Sequence, residues 1–169
     1  MPRTLTSFAL IFVLVLAIGG SALAAPMENC EPGLYFAFGE VGSSGGIAIG
    51  SGYGISGNLT VGAQIQYIEN GWYLGGFVNY AIKPFVISGD CWWTFSGLTV
   101  RASGIYLLDV DQFDAGIGIG ILMDGGSFSV FIEGVGGVPV AKNFTIYGAC
   151  DYFPSGGDLA CRFGVAYVF

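Results

Sequence analysis

The chain has 169 residues, 53% of them hydrophobic and only 10% charged, with a formal net charge of −7 and no histidine. Twelve acidic against five basic residues argue against a nucleic-acid partner, which rewards clustered Lys and Arg. The missing histidine removes Ser-His-Asp and Cys-His nucleophilic centres.

The chain opens on Arg3, the apolar run "FALIFVLVLAIGG" (8–20) and the small-x-small pattern Ala22-Leu23-Ala24. This order predicts an export signal over 1–24, cut after Ala24. A retained membrane helix is the competing reading, but the run is short of the ~20 residues a span needs. No cysteine directly follows the small residues, so a lipid-anchored amino terminus is not expected. Losing the leader leaves four basic residues (Lys83, Arg101, Lys142 and Arg162) against twelve acidic ones, a net charge of −8 on one domain. Residues 25–32 form an N-terminal segment ahead of the domain proper, 33–169.

The mean hydropathy of +0.69 is high for a soluble domain, yet no apolar run after residue 25 reaches helix-span length. Thirty glycines interrupt every stretch. The other membrane solution for such a chain is a closed β-barrel, whose strands alternate apolar outward with polar or small inward residues. Ten segments fit, near 33–42, 46–55, 58–69, 72–82, 85–95, 98–108, 114–124, 127–137, 143–153 and 159–169. In "GIAIGSGYGIS" Ile47, Ile49, Tyr53 and Ile55 face outward against inward glycines and Ala48. "NLTVGAQIQYIE" (58–69) sets Leu59, Val61, Ile65 and Tyr67 against Thr60, Gln64 and Gln66. "NG" (70–71) is a strong hairpin signal, and a turn there pairs Glu69 with Trp72 and Tyr67 with Leu74. "WYLGGFVNYAI" then turns Trp72, Leu74, Val78, Tyr80 and Ile82 out, and Tyr73, Phe77 and Asn79 in. "SG" (96–97), "GG" (125–126) and "PSGG" mark later turns, with a looser "VPVAKN" region between the eighth and ninth strands.

The expected fold is therefore all-β: an antiparallel up-and-down transmembrane barrel of about ten strands with short turns. Eight strands is the alternative. With both termini on the periplasmic side the number must be even, and deleting only the weakest segment, 85–95, leaves nine. A soluble secreted sandwich also alternates, but it would carry charge on its outer face, where this chain has Ile, Val, Leu, Phe, Tyr and Trp.

Inside, the pattern places Gln64, Gln66, Asn79, Arg101, Glu133, Asp151 and Arg162, together with Tyr73, Phe77, Ile105, Leu107 and Phe131. A turn at Gly125-Gly126 sets Phe131 against Gly120 and Glu133 against Gly118, large against small, as a narrow barrel fills itself. Asp151 and Arg162 become diagonal neighbours able to pair. Structural ion pairing is the expected role of these charges, with a solute-contacting ring as the alternative. Nothing in the spacing of Glu133, Asp151 and Asp90 singles out an acid–base pair. "GIGIG" is no phosphate cradle, since its glycines alternate on a strand face and open no helix.

Four cysteines in an exported chain suggest oxidation. A hairpin centred between Ser155 and Gly156 puts Cys150 opposite Cys161 on the outward face, predicting a disulfide, with free thiols as the alternative. Cys30 and Cys91 are left as a possible second pair, which requires a bulge near "SGDCWW" or an N-terminal segment folded into the barrel. No metal site is expected, and no cofactor.

The leader, the alternating strands and the final "RFGVAYVF" together resemble small Gram-negative outer-membrane β-barrel proteins. The resemblance implies an outer-membrane location, with lipids and the barrel-assembly machinery as partners. It also implies that Phe163, Val165, Tyr167 and Phe169 are the assembly signal. One feature departs from that class, whose external loops are usually long: here they are tight. A membrane scaffold or narrow pore without enzymatic activity is the expected function. The alternative is a barrel that binds or passes a small apolar ligand or lipid.

Overall fold

Period-two alternation over ten segments forms ten strands, and their hydrogen bonding closes on itself. The computed structural model of the chain describes residues 31–43, 45–68, 71–94, 97–108 and 113–169. The leader and Cys30 lie outside the described residues. The strands are β1 (Tyr35–Gly42), β2 (Ile47–Ser56), β3 (Leu59–Ile68), β4 (Gly71–Ile82) and β5 (Phe85–Thr94). They continue as β6 (Gly97–Leu108), β7 (Asp114–Asp124), β8 (Ser127–Ala141), β9 (Phe144–Phe153) and β10 (Asp158–Val168). Each pairs antiparallel with its neighbours in the chain, and β1 pairs with β10, so the sheet is a closed up-and-down barrel. Among the described residues there is no helix. Ten strands replace the alternative of eight, and closure overturns the sandwich.

The seam is tied at its end by reciprocal bonds: the Tyr35 N–H donates to the Phe169 carbonyl, and the Phe169 N–H to that of Tyr35. Their rings stack at 6.1 Å, and Tyr53 lies 4.7 Å from Tyr35. We refer to this as the terminal end of the barrel, and to the opposite rim, with the Gly125-Gly126 turn, as the distal end.

That turn is set by backbone chemistry. Both glycines have positive φ, 54° and 91°, as a two-residue hairpin of the twist-matching kind requires. It opposes Phe131 to Gly120 and Glu133 to Gly118, the expected pairs.

Two hairpins differ from the expected register. β3 and β4 meet at Ile68 opposite Gly71, which puts Tyr67 across from Trp72 rather than Leu74. Gly71 thus belongs to the strand and not to the turn. This displacement preserves every inward and outward face, so hydrophobic patterning cannot distinguish the two registers. Packing does. Phe77 now lies opposite Gly62, where a Cβ would collide with its ring; the other register sets Phe77 against Gln64. Between β5 and β6 the pairing is Thr94 with Gly97, one residue earlier than a turn at 96–97 implies. This brings Asp90 directly opposite Arg101.

The looser "VPVAKN" region is another correction. Residues 138–141 continue β8 past its last described pairing with β7, Gly137 with Asp114, and run beside β9. Pro139 lies opposite Thr145 of β9, and the register shifts between it and Ala141. That is where a sheet tolerates proline.

Inside, the terminal half is filled by Phe36, Phe38, Phe77, Val86, Ile105 and Val135, with aliphatic and aromatic neighbours around them. Phe38 and Phe77 meet edge to face at 5.7 Å, and Phe36 lies 6.0 Å from each. The outer surface is inverted relative to a soluble protein. Among the described residues, thirty-three large apolar side chains are exposed, against twelve apolar residues buried in the core. Along the strands every charged side chain between the strand ends points inward, among the described residues.

Candidate functional site

The distal half of the lumen carries the chemistry. Inward positions of six strands bring two guanidinium groups and four carboxylates together. Arg101 Nη1 donates to Asp90 Oδ2 at 3.1 Å, while its Nη2 donates to Glu133 Oε1 at 2.5 Å and to Asp151 Oδ1 at 3.1 Å. Arg162 donates from Nη2 to the same Glu133 Oε1 at 2.9 Å and from Nη1 to Asp151 Oδ2 at 3.2 Å. Its Nε lies 3.5 Å from Glu40 Oε2. The Arg101 guanidinium also sits 4.7 Å above the centre of the Phe131 ring, a cation–π contact.

The glycines of β7 make this network possible. Gly116, Gly118 and Gly120 offer no inward side chain, so Arg101 of β6 and Glu133 of β8 meet above the strand between them. Glu133 and Asp151 each receive both arginines, whereas Glu40 and Asp90 each have a single guanidinium contact. A charge buried away from water is tolerable only with such partners.

Across the lumen the wall is neutral and polar. Ser88 donates to Asn79 Oδ1 at 2.8 Å, and Gln64 and Gln66 line the same space on β3. Between this wall and the ion network lies a cavity of about 220 Å³, floored by Phe38, Phe77 and Val86.

The residues expected inside thus divide into two groups. Arg101, Glu133, Asp151 and Arg162 form one contact network, while Gln64, Gln66 and Asn79 stand on the opposite wall. Among the cavity residues that escaped the sequence reading are Phe38, Glu40, Ser88, Trp92 and Tyr147. Glu40 was accessible, since Phe36, Phe38 and Glu40 alternate in phase along "YFAFGEVG".

On the exterior, a disulfide joins Cys150 to Cys161 across the last hairpin. Cys91 is an exposed, unbridged thiol on β5, and its suggested partner Cys30 lies outside the described residues. Phe163, Val165 and Tyr167 face outward on the final strand, and Phe169, just past its end, is exposed.

The fold defines the class: a closed, ten-stranded, all-antiparallel β-barrel. No family model matches the chain, and no curated protein does. Among solved structures, it is similar to a chain described as "De novo design of transmembrane beta-barrels". The two share 13% identity at a TM-score of 0.43, over 83% of this chain and 99% of that one.

Proposed function

We propose that this protein is an integral outer-membrane β-barrel without enzymatic activity, a membrane scaffold whose lumen is closed to bulk flow by its own side chains. The observation that carries the reading is the inverted surface. A continuous apolar exterior of this extent has no place in water, where contiguous patches seldom exceed a few hundred Å². Aromatic rings gather at both rims, as at the two interfaces of a bilayer. Tyr35, Tyr53, Phe85, Tyr106 and Tyr167 stand at the terminal end, and Trp72, Trp93, Phe128 and Tyr152 toward the distal end. Eight of the ten strands have 10–12 residues, sufficient for tilted strands to cross hydrocarbon.

The absence of enzymatic activity is supported by the pairing of Asp90, Glu133 and Asp151 with arginines, a structural use of all three carboxylates. By resemblance, the outward-facing final strand serves the assembly machinery, and bilayer lipids are the barrel's main partners. Closure to flow follows from the aromatic floor. A pore that conducts freely is disfavoured because three phenylalanine rings cross the lumen in mutual contact.

The test combines location and conductance. The protein is expected to fractionate with outer membranes, to need detergent for extraction, and to migrate faster on a gel unboiled than boiled. In planar bilayers it is expected to show no open-channel steps, whereas Phe38→Ala with Phe77→Ala introduces them. A protein that stays dispersed and monomeric in plain buffer sinks the membrane reading. Steady conductance from the parent barrel sinks the closed lumen.

A further inference from the structure

We infer that the distal cavity is a binding pocket for a small organic cation bearing an apolar ring or chain. Three independent features of the cavity converge on that chemistry. The first is charge. Four carboxylates face two arginines in the lumen, a formal surplus of two negative charges. The surplus is localised: Asp90 and Glu40 have one guanidinium contact each and are the most open of the four, their side chains 14% and 12% exposed against 1% for Glu133. Both line the cavity.

The second feature is unspent hydrogen-bonding capacity. Gln64 is 6% exposed and lines the cavity. Beyond Gly75, in the same cross-strand row, the buried Trp92 Nε1 has no partner among the described residues. Buried polar groups without partners cost free energy unless something else meets them. The Gln64 carbonyl can accept from an ammonium group, and the Trp92 ring offers a π face to the same charge.

The third feature is the floor. Phe38, Phe77 and Val86 present apolar surface at the end of the cavity farthest from the distal mouth. A bare metal ion would leave that surface wet. An ammonium carried on a ring places its charge between Asp90 and Glu40 and its hydrocarbon on the phenylalanines. At about 220 Å³ the space accepts a molecule of benzylammonium size.

The inference needs the closed barrel but not the membrane, so the two readings fail separately. The barrel, purified from membranes and shown folded by its unboiled migration, is titrated with benzylammonium, benzyl alcohol and benzoate by equilibrium dialysis. The three probes share a ring and differ in charge. The expected result is that benzylammonium binds about tenfold or more tightly than benzyl alcohol, a difference of ~1.4 kcal/mol or more, while benzoate does not bind. Asp90→Asn removes that preference, Arg101 keeping its two other carboxylates. Gln64→Leu, close to isosteric, weakens benzylammonium about threefold. Binding changes tryptophan fluorescence in the parent and not in Trp92→Phe. Equal uptake of all three probes overturns the pocket, as does no uptake by a folded barrel. An Asp90→Asn variant with unchanged selectivity overturns it too. If the protein proves soluble without detergent, the membrane reading falls, and the same titration in plain buffer still decides the pocket.

Discussion

Replacing Arg101 by leucine is expected to lower the stability of the folded barrel by about 3–5 kcal/mol, the cost of stripping a buried charge cluster of one partner. Arg101 is 6% exposed and bridges Asp90, Glu133 and Asp151, whereas Arg162 reaches only the last two of these. Without it, Asp90 loses its one guanidinium partner, and Arg162 alone must serve the other three carboxylates. Asp90→Asn by itself costs about 1 kcal/mol, because Glu133 and Asp151 still hold the arginine. The double variant is less damaged than the sum of the singles, by about 1–2 kcal/mol, since neutralising Asp90 removes one of the stranded charges. Urea midpoints of the barrel in lipid vesicles, read as loss of the fast-migrating unboiled band, measure all three variants. An Arg101→Leu barrel as stable as its parent refutes a structural role for the network.

Gly120→Ala is expected to destabilise by about 1–3 kcal/mol, and Gly120→Val by more, although both residues favour strands better than glycine does. A Cβ at Gly120 would run into the Phe131 ring and lie 2.7 Å from the Ala102 carbonyl oxygen. Phe131 is wholly buried and cannot swing aside, hemmed by Phe153 at 5.7 Å and by the Arg101 guanidinium. Truncation to Phe131→Ala costs about 3–5 kcal/mol through the cavity it leaves. The informative variant pairs Gly120→Ala with Phe131→Leu. It recovers part of the loss, because the smaller side chain vacates the space the new methyl enters. Strict additivity in the same urea assay defeats the large-against-small account of this wall.

Much of the architecture was readable from alternation alone, because one face of every strand meets a single kind of surroundings. Ile117, Ile119 and Ile121 against Gly116, Gly118 and Gly120 can be arranged in only one way. Registers were less accessible. Two pairings that differ by one residue in each strand keep all faces intact, so "NG" and "SG" pointed to turns slightly displaced from the real ones. The deciding contacts, Phe77 over Gly62 and Asp90 opposite Arg101, involve knowing what sits across the hairpin. The "VPVAKN" region read as a looser connection, yet β8 runs through Pro139 beside a register shift in its pairing with β9. The composition of the lumen was legible, and so was the Asp151–Arg162 pair across the last hairpin, but the longer-range partnerships were not. Arg101 meets Glu133 and Asp151 across intervening strands, a proximity that depends on the curvature of the closed cylinder.

The charge network has a consequence for how the chain reaches this state. Its members come from β1, β5, β6, β8, β9 and β10, so no single hairpin can assemble it. A half-wound sheet leaves arginines and carboxylates stranded apart, and a strand that slides two positions does the same while satisfying every other rule of alternation. The network therefore acts as a checksum on winding: only the complete cylinder, with each strand in its proper step, lets opposite charges cancel.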